Sequence, residues 1–354
     1  MNWRECTLGD VVKLQRGHDL PDRVRVDGPV PVVSSAGITG RHNVAKAEPP
    51  GVVTGRYGTI GEVYYLDEPY WPLNTALYAV DFKDNLPRYV AYLLEATLKN
   101  YQSEKAAVPG VDRNVLHAIK VKAPDTATQE RIVEALFAYD NLIENNRKRI
   151  ALLEEAARLV YREWFVYLRF PGHEHVQLVD GVPEGWTRAE LGKFLTLKRG
   201  YDLPSSERVD GDIPIVSSAG VTGFHNQAKA SGPGVATGRY GTLGEVYFVE
   251  EDYWPLNTAL YVVDFKDHDP LLVYYALDDL LRGISSQKAA VPGLDRNVLH
   301  AMRVLWPSES LERAFLGTVR DSRRQICVLN EMNTKLAEVR DLLLPRLMNG
   351  QIAV

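Results

Sequence analysis

The sequence WPLNTALY fills residues 71–78 and recurs unchanged at residues 254–261, which lie 183 positions further along the chain. The same offset aligns residues 3–84 with residues 186–267, with 54 of 82 positions identical and no gap. A repeat of this length is too long for a solenoid unit or a propeller blade, so each copy should contain a complete globular domain. The chain of 354 residues is therefore predicted to consist of two copies of one unit.

The first part of each copy is predicted to contain strands, turns and one packed helix. Short apolar runs such as GVVTGRYG and NTALYAVDF alternate with Gly, Pro, Ser and Asn, a pattern typical of strands and turns. The stretch PRYVAYLLEATLKN has apolar residues at helical spacing behind a proline, which predicts a helix on the sheet. We therefore expect an α+β fold with two similar mixed α/β domains, at residues 1–124 and 186–306.

The second part of each copy is predicted to be a long helix. No Gly or Pro occurs from residue 126 to residue 168, and apolar residues recur there at heptad spacing, as they do towards the end of the chain. We expect two long antiparallel helices, at 125–169 and within 307–354, that separate the two domains about a pseudo-two-fold axis, with residues 170–185 as a connector. The helix seam is assigned to Leu136, Ile143, Ile150, Leu153, Val319, Ile326, Leu336 and Leu343. Asn146 in the first helix and Ser322 and Asn333 in the second are polar interruptions that can set the register of the two helices.

The composition narrows the function classes. With 41 basic and 46 acidic residues the net charge is −5, which argues against a uniformly basic coat for nucleic acid and allows a local basic groove. The two cysteines, Cys6 and Cys327, are too few for a disulfide framework or a zinc site. No apolar stretch approaches the roughly 18 residues of a membrane span, so we expect a soluble, cytoplasmic protein.

Recognisable catalytic motifs are missing from the sequence. It contains no phosphate-loop, dinucleotide-binding, zinc-protease or paired-cysteine signature. The glycine-rich stretches GRYGTIGEV and GRYGTLGEV lack the phosphate-loop lysine and are followed by a predicted strand, which favours a tight turn. His42, His117, His225 and His300 recur without a carboxylate or serine at the spacing of a triad, so hydrogen-bonding or capping roles are favoured over catalysis.

Over nearly its whole length, the chain resembles the specificity (S) subunit of type I restriction-modification systems. The resemblance rests on the turn TGRYGT followed by Ile-Gly or Leu-Gly, on WPLNTALY, on AAVPGVDRNVLHA with its second copy, and on the ending VRDLLLPRLMNGQI. It implies that each α+β domain is a target recognition domain that reads one half of a bipartite DNA site. It also implies that the helices set the distance between the half-sites and dock two methyltransferase (M) subunits.

The resemblance further implies a division of labour between subunits. The M subunits would supply S-adenosylmethionine and the base-flipping adenine chemistry, and restriction (R) subunits would supply ATP- and Mg-dependent cleavage. This chain itself is then expected to be a non-catalytic subunit without a cofactor or metal. Three alternatives stay open: a methylase complex without a separate restriction subunit, a duplicated enzyme, and a scaffold that does not bind DNA.

The likeness of the two copies predicts the symmetry of the target. Like domains read like half-sites, so the expected site is an interrupted near-palindrome in double-stranded DNA. Exchanges between the copies, namely Arg41 to Phe224, Val44 to Gln227 and His18 to Tyr201, leave room for a difference at one base.

Polar and basic side chains in or beside the glycine-rich turns are the candidate DNA contacts, because such groups suit base edges and phosphates. For the serines and threonines, turn formation is the competing interpretation. In the first copy the candidates are Ser34, Ser35, His42, Asn43, Lys46, Arg56, Tyr57, Thr59, Lys105 and Arg113. Their equivalents are Ser217, Ser218, His225, Asn226, Lys229, Arg239, Tyr240, Thr242, Lys288 and Arg296. Trp71 and Trp254 are assigned to the core.

Overall fold

Each copy of the repeat folds into strands and short helices followed by one long helix. The computed structural model describes residues 3–57, 61–99, 111–239, 244–285 and 293–354. The strands of the first copy are β1 (Trp3–Thr7), β2 (Lys13–Arg16), β3 (Val30–Ser34), β4 (Gly37–His42), β5 (Gly51–Gly55), β6 (Val63–Leu66), β7 (Trp71–Pro72), β8 (Ala76–Asp81) and β9 (Lys120–Pro124). Its helices are α1 (Leu8–Val11), α2 (Pro87–Leu98), α3 (Arg113–His117) and α4 (Thr126–Tyr161).

The second copy follows the same order of elements. Its strands, including a short hairpin that precedes the repeat, are β10 (Leu178–Val179), β11 (Val182–Pro183), β12 (Thr187–Glu190), β13 (Thr196–Arg199), β14 (Ile213–Ser217), β15 (Gly220–His225), β16 (Gly234–Gly238), β17 (Val246–Val249), β18 (Trp254–Pro255), β19 (Ala259–Asp264) and β20 (Arg303–Trp306). Its helices are α5 (Pro270–Ser285), α6 (Arg296–Ala301) and α7 (Glu309–Met348).

The sheets of the two copies have the same topology. The first copy has a four-stranded antiparallel sheet in the order β2-β8-β5-β6, a three-stranded sheet β4-β3-β7 and the pair β1-β9. The second copy repeats these as β13-β19-β16-β17, β15-β14-β18 and β12-β20. In each three-stranded sheet the last strand, β7 or β18, pairs in parallel while the other two are antiparallel. The predicted pair of similar mixed α/β domains is confirmed.

The chain divides into two compact units that each contain parts of both long helices. The first unit holds the described residues up to Arg147 together with Asn330–Val354, and the second unit holds Lys148–Leu329. The finer division at residues 124, 169, 185 and 306 stays a prediction. β9 ends at Pro124 and β20 ends at Trp306, immediately before the two long helices begin.

In the first unit, helix α2 packs on the four-stranded sheet. Its proline-led start and apolar spacing place Val90 and Leu94 at 0% exposure, in one core with Leu14, Val52 and Leu77. Burial of each such aliphatic side chain contributes about 1.5–3 kcal/mol. The same core takes up seam residues from both long helices, so this unit depends on segments that are far apart in sequence.

The long helices run antiparallel within the first unit. Asn146 donates from Nδ2 to Oδ1 of Asn333 at 2.9 Å, and Arg340 on α7 reaches Asp140 on α4 at 2.9 Å. The residue numbers of the contacting partners fall along α7 as they rise along α4, so the two helices run in opposite directions here. Two of the three predicted polar interruptions, Asn146 and Asn333, therefore meet each other, and Asn146 is 1% exposed, as expected for a pair that sets register.

The seam residues divide into two groups by burial. Leu136, Ile143, Val319 and Ile326 are buried, and Ile150, Leu153, Leu336 and Leu343 are half-buried. Heptad spacing thus located side chains that are partly or fully removed from solvent, and the assignment of all eight to one continuous seam stays a prediction.

An acidic residue on the sheet-covering helix holds a long helix in each unit. Glu95 on α2 pairs with Arg340 on α7 at 3.2 Å in the first unit. Asp278 on α5, which is equivalent to Glu95 by the offset of 183, pairs with Arg158 on α4 at 3.1 Å in the second unit. The same attachment is therefore made to a different long helix in each unit.

The connector, which the sequence predicts only as a linker, contains a short hairpin. β10 and β11 pair antiparallel around Asp180 and Gly181, whose φ angles are +52° and +70°. An Asp-Gly pair with both residues at positive φ is the signature of a tight hairpin turn. The signal was present as Val-Asp-Gly-Val, and the strands are too short for alternation to reveal them.

Among the described residues, no helix combines the length and the apolar character needed to cross a membrane.

Candidate nucleic-acid interface

In each unit, three loops are tied to the turn that follows β7 or β18. In the first unit, Leu73 N donates to Val33 O at 2.8 Å, Asn74 N donates to His18 O at 3.0 Å and Arg56 N donates to Thr75 O at 2.9 Å. We call the segments 15–20, 33–37, 56–57 and 73–75 the first loop cluster. The backbone brings together loops that are up to about 60 positions apart in sequence.

The second unit repeats this arrangement. Leu256 N donates to Val216 O at 2.8 Å, Asn257 N to Tyr201 O at 2.9 Å and Arg239 N to Thr258 O at 2.9 Å. The segments 198–203, 216–220, 239 and 256–258 form the second loop cluster. Each distance matches its counterpart in the first cluster to within 0.1 Å, so the two backbones offer equivalent platforms.

The Arg-Gly pair in the first segment of each cluster is explained by a close backbone approach at the glycine. A Cβ atom built on Gly17 would lie 2.2 Å from the carbonyl oxygen of Leu73, and one on Gly200 would lie 2.2 Å from that of Leu256. Any side chain there would push the loop away from the turn. Glycine is therefore required at these positions for the loops to meet.

Ser34 and Ser217 form turns instead of facing outward. The Ser34 hydroxyl accepts from Ala36 N at 3.0 Å and donates to Gly37 O at 3.2 Å, and the side chain is 8% exposed. Ser217 makes the equivalent bonds at 3.1 and 3.2 Å. The turn-forming interpretation holds for both residues, and their burial argues against direct contact with DNA. Ser35 and Ser218 are half-buried beside them.

His42 and His225 are also internal. His42 is 6% exposed, its Nδ1 lies 3.1 Å from Val26 N, and its ring meets Trp71 edge-on with centroids 5.3 Å apart. His225 does the same with Val209 N at 3.1 Å and Trp254 at 5.1 Å. The expectation of a DNA contact is not supported for these histidines, because both rings are buried against a tryptophan and one nitrogen of each is engaged in the fold. The hydrogen-bonding role predicted for them agrees with this placement.

Lys46 and Lys229 project over the buried tryptophans. The ammonium nitrogen of Lys46 lies 5.4 Å from the Trp71 ring centroid, and that of Lys229 lies 5.1 Å from Trp254. Both lysines are exposed, and both tryptophans are buried, as the sequence predicted. Asn43 and Asn226 are exposed immediately after the buried histidines. One lysine and one asparagine therefore remain available in each unit, at the edge of its loop cluster.

Arg56 lies on an exposed tyrosine at the centre of the first loop cluster. Its guanidinium carbon is 4.5 Å from the Tyr57 ring centroid, and Tyr57 is 42% exposed. Arg56 O accepts from Val111 N at 2.8 Å, and Arg239 O accepts from Leu294 N at 2.9 Å. These bonds bring the start of α3 or α6 alongside, so the exposed Arg113 and Arg296 join the same region of each unit.

Five candidates lie outside the described residues: Thr59, Lys105, Tyr240, Thr242 and Lys288. The turn of each GRYGT stretch falls there as well. The strand predicted after it is present in both units, as β6 and β17.

A polar triad in each loop cluster joins three side chains that the sequence does not place together. Asp19 accepts a hydrogen bond from the Asn74 amide and pairs with Arg16 at 3.6 Å. Asn257, Asp202 and Arg199 repeat the arrangement, with the ion pair at 3.8 Å. All three residues are identical between the copies, and that identity was the available signal. Their shared role depends on the contact between residues 19 and 74, which the sequence alone does not indicate.

The remaining recurrent histidines attach a strand to a short helix. His117 Nε2 accepts from Leu14 N at 3.0 Å, and His300 Nε2 accepts from Leu197 N at 2.8 Å. Burial, and then the nearby Arg113 or Arg296, lowers the pKa of each imidazole. A neutral, accepting imidazole is what this bond requires, so the predicted structural role is confirmed.

The sequence comparisons identify the first copy. Residues 1–155 match the family model described as the type I restriction modification DNA specificity domain. This part of the chain is similar to that specificity domain. The resemblance found in the sequence is therefore confirmed for this part of the chain, and the second copy has the same topology and an equivalent loop cluster.

Curated relatives agree with the specificity-domain match. Over 127 residues the chain is 28% identical to the type I restriction enzyme MjaIX specificity subunit of Methanocaldococcus jannaschii, covering 34% of this chain and 29% of that protein. It is 25% identical over 134 residues to the MjaVIII specificity subunit of the same organism, covering 37% and 31%. The matched part thus spans less than a third of the length of these relatives.

A solved structure shares the fold. The type I restriction-modification system S subunit from M. genitalium superposes with a TM-score of 0.57 at 17% identity, covering 98% of this chain and 96% of that one. At this identity the likeness concerns the fold alone, and it extends over both copies of the repeat together with the long helices.

Proposed function

We propose that this chain is the sequence-specific DNA-recognition subunit of a type I restriction-modification complex. The observation that carries the proposal is the repeated loop cluster, which presents arginine, lysine, asparagine and tyrosine side chains on equivalent backbones in both units. Such side chains, projecting from loops on a rigid scaffold, suit base edges and phosphates. The specificity-domain match of residues 1–155 supports the same function.

Each loop cluster is proposed to read one half of a bipartite site. Base readout is assigned to Arg56, Tyr57, Ser35 and Asn43 in the first unit and to Arg239, Ser218 and Asn226 in the second. Lys46, Arg113, Lys229 and Arg296 are assigned to the DNA backbone. Since most of these residues are identical between the units, the site is proposed to be an interrupted near-palindrome.

The chemistry is proposed to reside in partner subunits. Adenine methyltransferase subunits would bring S-adenosylmethionine, and restriction subunits would bring ATP and Mg. The solved relative and the curated relatives are specificity subunits of such systems by name, and this chain would act as the non-catalytic subunit that selects their target.

Mapping of modified adenines tests this function. We expect cells that express the chain with the methyltransferase subunit of its own system to modify adenines within one interrupted motif. Deletion of the chain should abolish that modification while the methyltransferase is still present. Modification that persists at the same motif after the deletion would refute the proposed function, and two unrelated half-sequences would refute the near-palindrome.

A further inference from the structure

The two loop clusters differ in chemistry at one place where their backbones are the same. His18 N donates to Pro72 O and Tyr201 N donates to Pro255 O, both at 2.8 Å, so residues 18 and 201 start from equivalent positions. Three positions earlier in the chain, residues 15 and 198 are exposed, and they are glutamine and lysine, respectively. The differences at residues 15 and 18 are therefore confined to side chains on a common platform.

In the first unit the imidazole meets a buried tyrosine. His18 Nε2 lies 3.2 Å from the Tyr78 hydroxyl, and the ring also packs edge-on against Trp71 with centroids 6.3 Å apart. Tyr78 is 7% exposed, and its hydroxyl engages Nε2 of the His18 ring. A single polar atom of the imidazole, Nδ1, is then left to face a ligand, and residue 15, the equivalent of Lys198, is the neutral glutamine.

In the second unit a hydrogen-bonded chain of three side chains replaces that pair. The buried Tyr261 hydroxyl lies 3.2 Å from the Tyr201 hydroxyl, and Lys198 Nζ donates to Tyr201 at 3.2 Å. The hydrogen bond between Tyr201 and Tyr261, and then that from Lys198, lowers the pKa of Tyr201. The Lys198 ammonium group donates one of its three N–H groups to Tyr201, so two remain to donate outward beside the tyrosine hydroxyl.

The two sites therefore present different hydrogen-bonding patterns. The second unit offers the two remaining N–H donors of the Lys198 ammonium group beside the Tyr201 hydroxyl, whereas the first offers one imidazole nitrogen and the neutral amide of Gln15. Two adjacent donors match the paired acceptors O6 and N7 that guanine presents in the major groove. Arg16, Asp19 and Asn74 and their equivalents surround both sites without change, so they do not account for a difference.

We propose that Gln15 with His18, and Lys198 with Tyr201, are specificity-determining pairs that make the two half-sites differ at one base pair, with guanine at that position in the half read by the second unit. This inference rests on the proposed function, and it turns the near-palindrome into a site with one defined asymmetric position. It names the residues that create the asymmetry, all of which lie within one loop cluster of each unit.

Exchange of the pairs tests the inference in the assembled complex. The variant Gln15→Lys/His18→Tyr gives the first unit the pair of the second, and Lys198→Gln/Tyr201→His does the reverse. Each variant is co-expressed with the methyltransferase subunit, and modified adenines are mapped. We expect the first variant to make the motif symmetric with guanine in both halves, and the second to make it symmetric with the other base. For a good paired contact, preference at that position should change by about tenfold or more, and other positions should keep theirs.

The outcomes separate this inference from the proposed function. An unchanged motif with both double variants would overturn the inference and leave the function intact, as would a uniform loss of modification without a change of motif. Modification of the same motif whether or not the chain is present would instead refute the proposed function. The exchange Arg4→Thr with Thr187→Arg is the control, because both residues are exposed on the β1-β9 and β12-β20 pairs and outside the loop clusters; the motif should not change. The single variant Lys198→Gln guards against misfolding of a double variant, since it removes the ammonium donors and should already weaken the guanine preference.

Discussion

At the scale of single residues, burial separates two groups among the side chains that repeat between the copies. Ser34, His42 and Trp71 keep their identity in the second copy because they build the loops from inside. Arg56 and Lys46 keep theirs although each packs only on the face of an aromatic ring and leaves its charge at the surface. Identity between copies therefore marked both the supports and the candidate contacts, and exposure is what separates them.

Arg56 is the residue whose loss should be most informative. For Arg56→Ala in the assembled complex, we expect a loss of about 1–3 kcal/mol in binding of the cognate site and a relaxed preference at one position of one half-site. Competition binding with site variants measures both effects. Lys83→Ala is the matched control, because Lys83 pairs with Asp81 at the far end of β8 and its removal should change neither affinity nor preference. Unchanged affinity and preference for Arg56→Ala would show that the readout lies elsewhere.

At the scale of elements, each four-stranded sheet is attached to a short helix by a neutral histidine. His117 on α3 accepts the Leu14 amide of β2, and His300 on α6 accepts the Leu197 amide of β13. Protonation would remove the accepting lone pair, so the attachment exists only in the neutral form. The helix bearing each histidine begins with Arg113 or Arg296, so this bond also helps to position a candidate DNA contact.

The lowered pKa of these histidines predicts a pH-dependent stability. In the unfolded chain the pKa of these histidines is 6.5, and in the folded state it is lower. As the pH falls below 6.5, the unfolded state therefore binds more protons than the folded state. The stabilisation is complete above pH 6.5 and is lost as the pH falls towards the folded-state pKa. We expect His117→Gln/His300→Gln to flatten the rise of unfolding free energy between about pH 5 and about pH 7.

Denaturant unfolding of the full chain over that range measures the effect. The connector residue His175, whose side chain is 84% exposed, provides the control: His175→Gln should retain the wild-type slope. A double variant with the slope of the wild type would contradict the neutral attachment.

At the scale of the whole molecule, the charge balance bears on how tightly DNA can be held. The net charge of −5 means that the basic groups of the loop clusters act without a general excess of positive charge. Because DNA affinity rises with the number of phosphates neutralised, a subunit of this composition should depend on its partners for much of its binding energy.

We therefore expect the purified chain to bind its own site weakly in the absence of partners. At physiological salt its Kd should lie within the range of nonspecific binding, about 10⁻⁴–10⁻⁶ M, and the logarithm of its affinity should fall less steeply with the logarithm of salt concentration than that of the complex. Fluorescence anisotropy of labelled duplexes over a salt series measures both. A nanomolar Kd for the chain alone would contradict the expected division of labour.

The sequence by itself determined the repeat and the fold class, and it indicated the family that the chain resembles. The offset of 183 residues, the heptad spacing and the Gly-Pro-Asn punctuation are local or self-similar patterns, so they can be read without coordinates. The assignment of Trp71 to the core and of His117 to a hydrogen bond also followed from sequence, because those residue types in those settings have few other uses.

Only the tertiary structure decided which side chains share a site. Asp19 meets Asn74, Glu95 meets Arg340 and Lys198 completes a chain with Tyr201 and Tyr261, and none of these contacts has a periodic signature in the sequence. The same is true of the burial that removed Ser34 and His42 from the contact set. The physical reason is that exposure and hydrogen-bond partners depend on how segments distant along the chain pack together, whereas periodicity depends only on neighbours.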